Sequence, residues 1–99
     1  MSLRLRWNEG TRHLSISEEL LKPLGFPPML IAERIGDTEI VLYQPGDPRA
    51  GGKPRKVNYP RKAMPRLSIG EQPAEELGLR EGSYEAWVEE SAVYARWMG

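Results

Sequence analysis

Basic side chains concentrate in one stretch of this sequence, residues 45–66, which carries seven of them against a single acid, Asp47. Tyr59 lies among them. Clustered cations with an interleaved aromatic side chain are typical of surfaces that bind nucleic-acid phosphates. The alternative is a basic connector that only balances acidic groups elsewhere in the molecule. The residues of this stretch that we expect to contact phosphates are Lys53, Arg55, Lys56, Arg61, Lys62 and Arg66.

Catalytic chemistry has few candidates here. His13 is the only histidine, and a serine nucleophile (Ser15, Ser17 or Ser68) would depend on it as a base. These serines have a simpler interpretation, since each lies just before a predicted helix, where serine is a good cap. The sequence has no cysteine and no Asp-rich loop, so thiol chemistry is excluded and no metal site is expected. We therefore expect no enzyme activity and no cofactor.

The segment 46–53 superficially resembles a phosphate-binding loop, because several glycines precede Lys53. The spacing before the lysine is one residue too long, however, and Pro54 stands where that motif needs serine or threonine. We interpret residues 45–55 instead as a basic linker rich in glycine and proline.

Length and composition predict one small globular domain. The chain has 99 residues, of which 39% are hydrophobic and 28% charged. These values are ordinary for a folded protein. No apolar run approaches the roughly 20 residues of a membrane-spanning helix. The first residues lack the apolar stretch of a signal peptide, so a cytoplasmic protein is expected.

The formal net charge is zero, but the charge is distributed unevenly. Residues 1–44 carry five basic and six acidic groups, a net charge of −1. Residues 45–66 have a net charge of +6, and residues 67–99, with two basic groups and seven glutamates, have −5. An asymmetry of this kind indicates partners of opposite charge rather than a particular fold.

Sliding the sequence against itself reveals an internal match at an offset of 53 residues. Leu14-Ser15-Ile16 aligns with Leu67-Ser68-Ile69, and Leu24-Gly25-Phe26 aligns with Leu77-Gly78-Leu79. The pattern predicts two tandem copies, residues 1–44 and 56–99, joined by the linker at 45–55. Because each copy alone has few apolar residues and open strand edges, we expect the two to form one compact pseudo-dimeric domain.

Each copy is predicted to contain two strands, one short helix and a hairpin. A strand (12–16 or 66–69) leads into a helix (18–24 or 71–77), and a hairpin (30–43 or 84–97) follows. Ser15 with Glu18, and Ser68 with Glu71, have the spacing of a capping box, although Ser17 is an equally good cap for the first helix. Gly25 and Gly78 lie where a helix needs a left-handed residue to end it.

Residues 7–20 resemble the start of AbrB/MazE/SpoVT-like domains. The shared pattern is a strand, an acidic-Gly turn (here Glu9-Gly10), an arginine, an apolar strand ending at Ile16, and a short helix. The Leu24-Gly25-Phe26 stop and the hairpin after it belong to the same pattern, and the likeness covers residues 3–44 and 56–98. The proline that follows the isoleucine in that family is replaced here by Ser17 in the first copy and by Gly70 in the second.

This resemblance implies a mainly β fold, a swapped-hairpin barrel built from two tandem ββαββ repeats in an MraZ-like layout. It also implies DNA binding through arginines on the early strands. Arg4, Arg6 and Arg12 are the matching positions, and they would extend the basic surface of residues 53–66. We therefore expect a DNA-binding transcriptional regulator, either a monomer containing both halves or a homodimer.

A different class of function is also open. The acidic C-terminal half is suited to a protein-binding module, either antitoxin-like or an inhibitor or adaptor of a host enzyme. In that case Trp87 and Tyr94 mark the partner surface, because Trp87 falls on the charged face of its strand, between Glu85 and Glu89. Salt-dependent DNA affinity distinguishes the two alternatives.

Overall fold

Eight antiparallel strands close into a barrel in the computed structural model, which describes residues 3–99. The strands are β1 (Leu3–Asn8), β2 (His13–Ile16), β3 (Met29–Arg34), β4 (Glu39–Tyr43), β5 (Arg55–Asn58), β6 (Arg66–Ser68), β7 (Gly82–Glu89) and β8 (Ala92–Trp97). The helices are α1 (Glu18–Leu21), which continues into a 3₁₀ turn at Lys22–Leu24, and α2 (Glu71–Leu77). The prediction of a mainly β fold is confirmed.

Around the barrel the strands follow the order β1-β2-β6-β5-β3-β4-β8-β7, and β7 pairs with β1 to close it. The β3–β4 hairpin lies between β5 and β8, and the β7–β8 hairpin lies between β4 and β1. Each hairpin is therefore flanked on both sides by strands from the other half of the chain. Neither half can satisfy its strand edges alone.

The barrel interior is filled by the alternate side chains of every strand. On β1, Leu5 and Trp7 are 0% and 1% exposed, while Arg4 and Arg6, which alternate with them, point outward. Burying side chains of this size stabilises the fold by about 1.5–3 kcal/mol each. The helices add Leu20 and Ala74 to the same core. The apolar alternation therefore determines which charged side chains remain on the outside.

Both helical segments end at the predicted glycines, but neither begins with the predicted side-chain cap. Gly25 and Gly78 follow the two helical segments with φ of 76° and 67°. The predicted capping boxes are wrong, because Ser15 and Ser68 lie within paired strands. Ser17 precedes α1, but its hydroxyl donates to the Arg4 carbonyl oxygen at 2.9 Å rather than capping the helix.

The predicted helix at 18–24 divides after Leu21. Pro23 explains the change, because proline has no backbone N–H to donate to the preceding turn and an α-helix cannot continue through it. Within residues 3–99, no helix is long and apolar enough to cross a membrane.

The linker between the halves covers an apolar strip on the outside of the barrel. Ile31, Val41, Tyr43 and Ala92 form a second buried cluster, and Ala50 of the linker packs against it. The backbone N–H of Gly51 donates to Glu33 Oε2 at 2.6 Å. The linker therefore runs along the barrel wall.

Arg49 fixes the linker to the β7–β8 turn. Its guanidinium bonds to Asp47 at 2.8 Å and to Glu90 at 3.1 Å, and it lies 4.9 Å from the centre of the Tyr43 ring. The hydrogen bonds from Arg49 hold the pKa of Asp47 below its ordinary value. Arg49 is thus already neutralised within the molecule.

Candidate nucleic-acid interface

The outer surface of strands β1, β2, β6 and β5 contains cations and no carboxylate. Leu5, Leu14, Leu67 and Val57 point into the barrel on these strands, so the alternate side chains point outward. We call this outward set the basic face, and its members are Arg4, Arg6, Asn8, His13, Ser15, Lys56, Asn58, Arg66 and Ser68.

The strand register brings residues from distant parts of the sequence into one row. Arg6 lies opposite Ser15, Ser15 lies opposite Arg66, and Arg66 lies opposite Asn58. Two strand spacings put the backbones of Arg6 and Arg66 about 10 Å apart. Arg4 lies about 7 Å from Arg6 along β1. The three arginines therefore form one cluster on the basic face.

Within residues 3–99, no ion pair includes a cation of the basic face, although Glu85 of β7 lies directly across from Arg4. The ion pairs within residues 3–99 use Arg12, Arg34, Arg49 and Arg96 as their cations. None of them uses a residue of the basic face. Its positive charge is therefore available to an external anion.

The loop between β5 and β6 adds two more predicted residues beside this cluster. Arg61 and Lys62 are exposed and line a shallow groove with Glu18 and Glu19 at the start of α1. Met64 of the same loop lies in this groove and also in a neighbouring depression with Arg4 and Arg6. The loop thus joins Arg61 and Lys62 to the β1 arginines.

Three of the predicted residues lie at the margin. Arg12 occupies the β1–β2 turn with φ of 56° and pairs with Glu71 at 3.4 Å, so its charge is partly compensated. Lys53 is exposed just before β5, and Arg55 is half-buried opposite Leu30. These side chains flank the basic face and are not among its outward members.

The other four strands present an acidic outer surface. Their outward side chains include Glu33, Glu39, Glu85 and Glu89, and Arg96 pairs with Glu85 at 3.0 Å. The barrel therefore has two electrostatically different sides, as the uneven charge along the sequence suggests.

Trp87 and Tyr94 form a stacked pair on that acidic side. Their ring centres are 6.1 Å apart and their planes differ by 13°. The indole N–H of Trp87 donates to Glu89 at 3.4 Å, and Arg49 donates to the Tyr94 hydroxyl at 3.3 Å. Both rings are half-buried. The structure thus brings the two predicted partner-surface residues together.

One feature of the surface was missed from the sequence. Phe26, Met29 and Tyr59 are all exposed hydrophobic side chains, and they meet in a groove beside Lys56. Phe26 directly follows the glycine that ends the first helical segment, and two prolines follow it. That context was a signal for an apolar ring outside the core, but the contact with Tyr59 depends on the pairing of β3 with β5.

No protein-family model, curated protein or solved structure matches this chain. Within residues 3–99, no group of three or more acidic or histidine side chains is placed to hold a metal ion.

Proposed function

We propose that this protein is a DNA-binding transcriptional regulator of AbrB-like type, acting in the cytoplasm without catalysis. The observation that carries the proposal is the basic face, with its clustered arginines and no carboxylate among its outward side chains. Duplex DNA is a dense polyanion, and cations that replace its counterions supply much of the binding free energy.

We assign different roles to different cations. Arg4, Arg6 and Arg66 lie on rigid paired strands, which suits contacts that fix the register of the protein on the duplex. Arg61 and Lys62 project from a loop beside them. An arginine that reaches the major groove can also bond to guanine in a bidentate manner, and this would supply sequence preference.

The circular order of the strands supports the tandem swapped-hairpin arrangement. The order around the barrel stays the same when β1 is exchanged with β5, β2 with β6, β3 with β7 and β4 with β8. Each hairpin also lies between strands of the other half, as an exchange of hairpins between two repeats requires.

Matching hydrogen bonds support the same arrangement. The N–H of Ile16 donates to Pro65 O at 2.9 Å, and the N–H of Ile69 donates to Arg12 O at 3.1 Å. Donors and acceptors in the two bonds are each 53 residues apart, which is the offset of the internal match. Two equivalent ββαββ units in one chain explain this agreement.

Duplex affinity measured across a range of salt concentrations tests the function. With about 4–6 phosphate contacts, the logarithm of the association constant should fall against the logarithm of salt concentration with a slope of roughly −4 to −5. Absence of binding to mixed-sequence duplex at low salt would overturn the proposal.

The Trp87–Tyr94 stack favours a second candidate, a protein-binding module that uses the acidic side. A basic partner segment would place its cations near Glu85 and Glu89 and pack against the indole. Quenching of tryptophan fluorescence by a short arginine-rich peptide, abolished by Trp87→Phe and accompanied by no duplex binding, would favour this candidate.

A further inference from the structure

An apolar groove lies next to the basic face. It is lined by Phe26, Pro28, Met29, Lys56, Val57 and Tyr59. Its volume is about 500 Å³, within the range of sites that hold small organic groups. Phe26 is 47% exposed and Tyr59 is 40% exposed, so both rings offer open surface.

Phe26 is held in a backbone conformation that bulky residues avoid. Its φ is 52°, directly after Gly25 at 76°, and its N–H donates to Leu21 O at 3.1 Å. The ring does not belong to the barrel core. A strained position that exposes an aromatic ring is typical of functional sites rather than of packing.

Tyr59 is fixed at a right angle to this ring. Its hydroxyl donates to Pro27 O at 2.5 Å, and burial raises its pKa. The ring centres of Phe26 and Tyr59 are 6.2 Å apart, with planes at 78°. The two rings therefore line two sides of the groove at nearly a right angle, and a flat group can stack on either ring.

We propose that this groove takes an unpaired nucleobase of the nucleic acid whose phosphates lie on the basic face. Lys56 lines the groove and is itself a member of the basic face. Asn58, adjacent to Tyr59, lies opposite Arg66. A DNA strand whose phosphates contact Arg66 and Lys56 would place a neighbouring base over the rings of Phe26 and Tyr59.

The charge of the surroundings selects this occupant over an apolar peptide side chain. The lining contains one cation and no carboxylate, and it continues into a surface of unpaired arginines and lysines. Aromatic rings beside a positively charged track are the usual device for binding unstacked bases. This inference rests on the proposed DNA binding and adds to it a preference for DNA that contains unpaired bases.

The test compares fluorescently labelled duplex with the same duplex carrying a short run of unpaired thymidines. The wild-type protein should bind the second probe about tenfold more tightly, because each stacked base adds to affinity. Phe26→Gly should abolish that gain and leave duplex affinity unchanged. Glycine suits the positive φ at this position, so the variant keeps the fold. Phe26→Tyr, which retains a ring, is the matched control and should preserve the gain.

Equal affinity of the wild type for the two probes would overturn the groove assignment alone, since duplex binding would persist. A gain that survives in Phe26→Gly would overturn it as well. If the wild-type protein binds neither probe, the proposed function is overturned together with this inference. A dimer that Phe26→Gly dissociates would show that a second copy of the chain covers the groove.

Discussion

Leu14 on β2 and Leu67 on β6 lie directly opposite each other, and both are fully buried. They are 53 residues apart, and their strands join the first half of the chain to the second. Val41 on β4 and Tyr94 on β8, on the opposite side of the barrel, also lie opposite each other and 53 residues apart, with Val41 fully buried and Tyr94 half-buried. Each of these seams between the halves is thus centred on a pair of residues equivalent under the internal match.

Replacing either leucine of the first pair with valine should lower the free energy of unfolding by about 0.5–1.5 kcal/mol, since a buried methylene is lost. The double variant should lose less than the sum of the two, because the two side chains share one cavity. Urea denaturation measures all three. Leu14→Val combined with Val41→Ala is the control, and its effects should add because Val41 belongs to the separate outer cluster.

Removing the cations of the basic face should weaken DNA binding without unfolding the protein. The triple variant Arg4→Ala, Arg6→Ala and Arg66→Ala should reduce the slope of the salt dependence by about 3, because each phosphate contact contributes roughly 0.9. Fluorescence anisotropy with duplex DNA gives the slope. Arg34→Ala removes an exposed arginine that pairs with Asp37 beside the β3–β4 turn, away from the basic face, and should leave the slope unchanged. Equal slopes for the triple variant and the wild type would contradict the assignment.

The turn between β7 and β8 should be stabilised by glycine. Glu90 and Ser91 have φ of 49° and 63°, which identifies a two-residue turn that favours glycine at its second position. Ser91→Gly should raise the free energy of unfolding by about 0.5–1 kcal/mol, because the left-handed conformation penalises a side chain. Thermal denaturation measures the change. Ser68→Gly, inside β6, should instead be destabilising.

The Asp47–Arg49 pair should contribute to stability in a pH-dependent way. The pKa of Asp47 lies below its ordinary value of 3.8, so the pair stabilises the fold above that pH and the contribution is lost as the pH falls further. Asp47→Asn should therefore be less stable than the wild type at neutral pH, with a difference that shrinks at pH values below about 4. Asp37→Asn, which alters a fully exposed carboxylate, is the control and should show little difference at either pH.

Much of the fold follows from local pattern. Alternation in Leu3–Asn8 and in Gly82–Glu89 predicts strands with one buried side, and the glycines at 25 and 78 predict where the helices end. The predicted capping boxes are wrong because Ser15 and Ser68 lie in the paired strands β2 and β6. Strand pairing is a tertiary effect, and a pattern within four neighbouring residues does not contain it. The internal match predicts a second copy, but not which strands become neighbours.

The candidate site, like the fold, is predictable from the sequence only in part. The outward direction of Arg4 and Arg6 follows from the buried residues on either side of them. The ion pair that sets Arg12 apart from the other arginines does not follow from local sequence, because its partner Glu71 is distant in sequence and near in space. The meeting of Phe26 with Tyr59 depends likewise on the pairing of Met29 with Lys56.

The pairing of β1 with β7 has a consequence for the folding of this chain during its synthesis on the ribosome. Leu3 finds its partner only at Ala86, near the other end of the chain. At about 5–20 residues per second, roughly 4 to 17 seconds pass before that partner is synthesised. Throughout that interval the first strand has one open edge, and the barrel cannot close. The first strand of the nascent chain therefore offers an open edge for pairing with another chain until β7 has been synthesised.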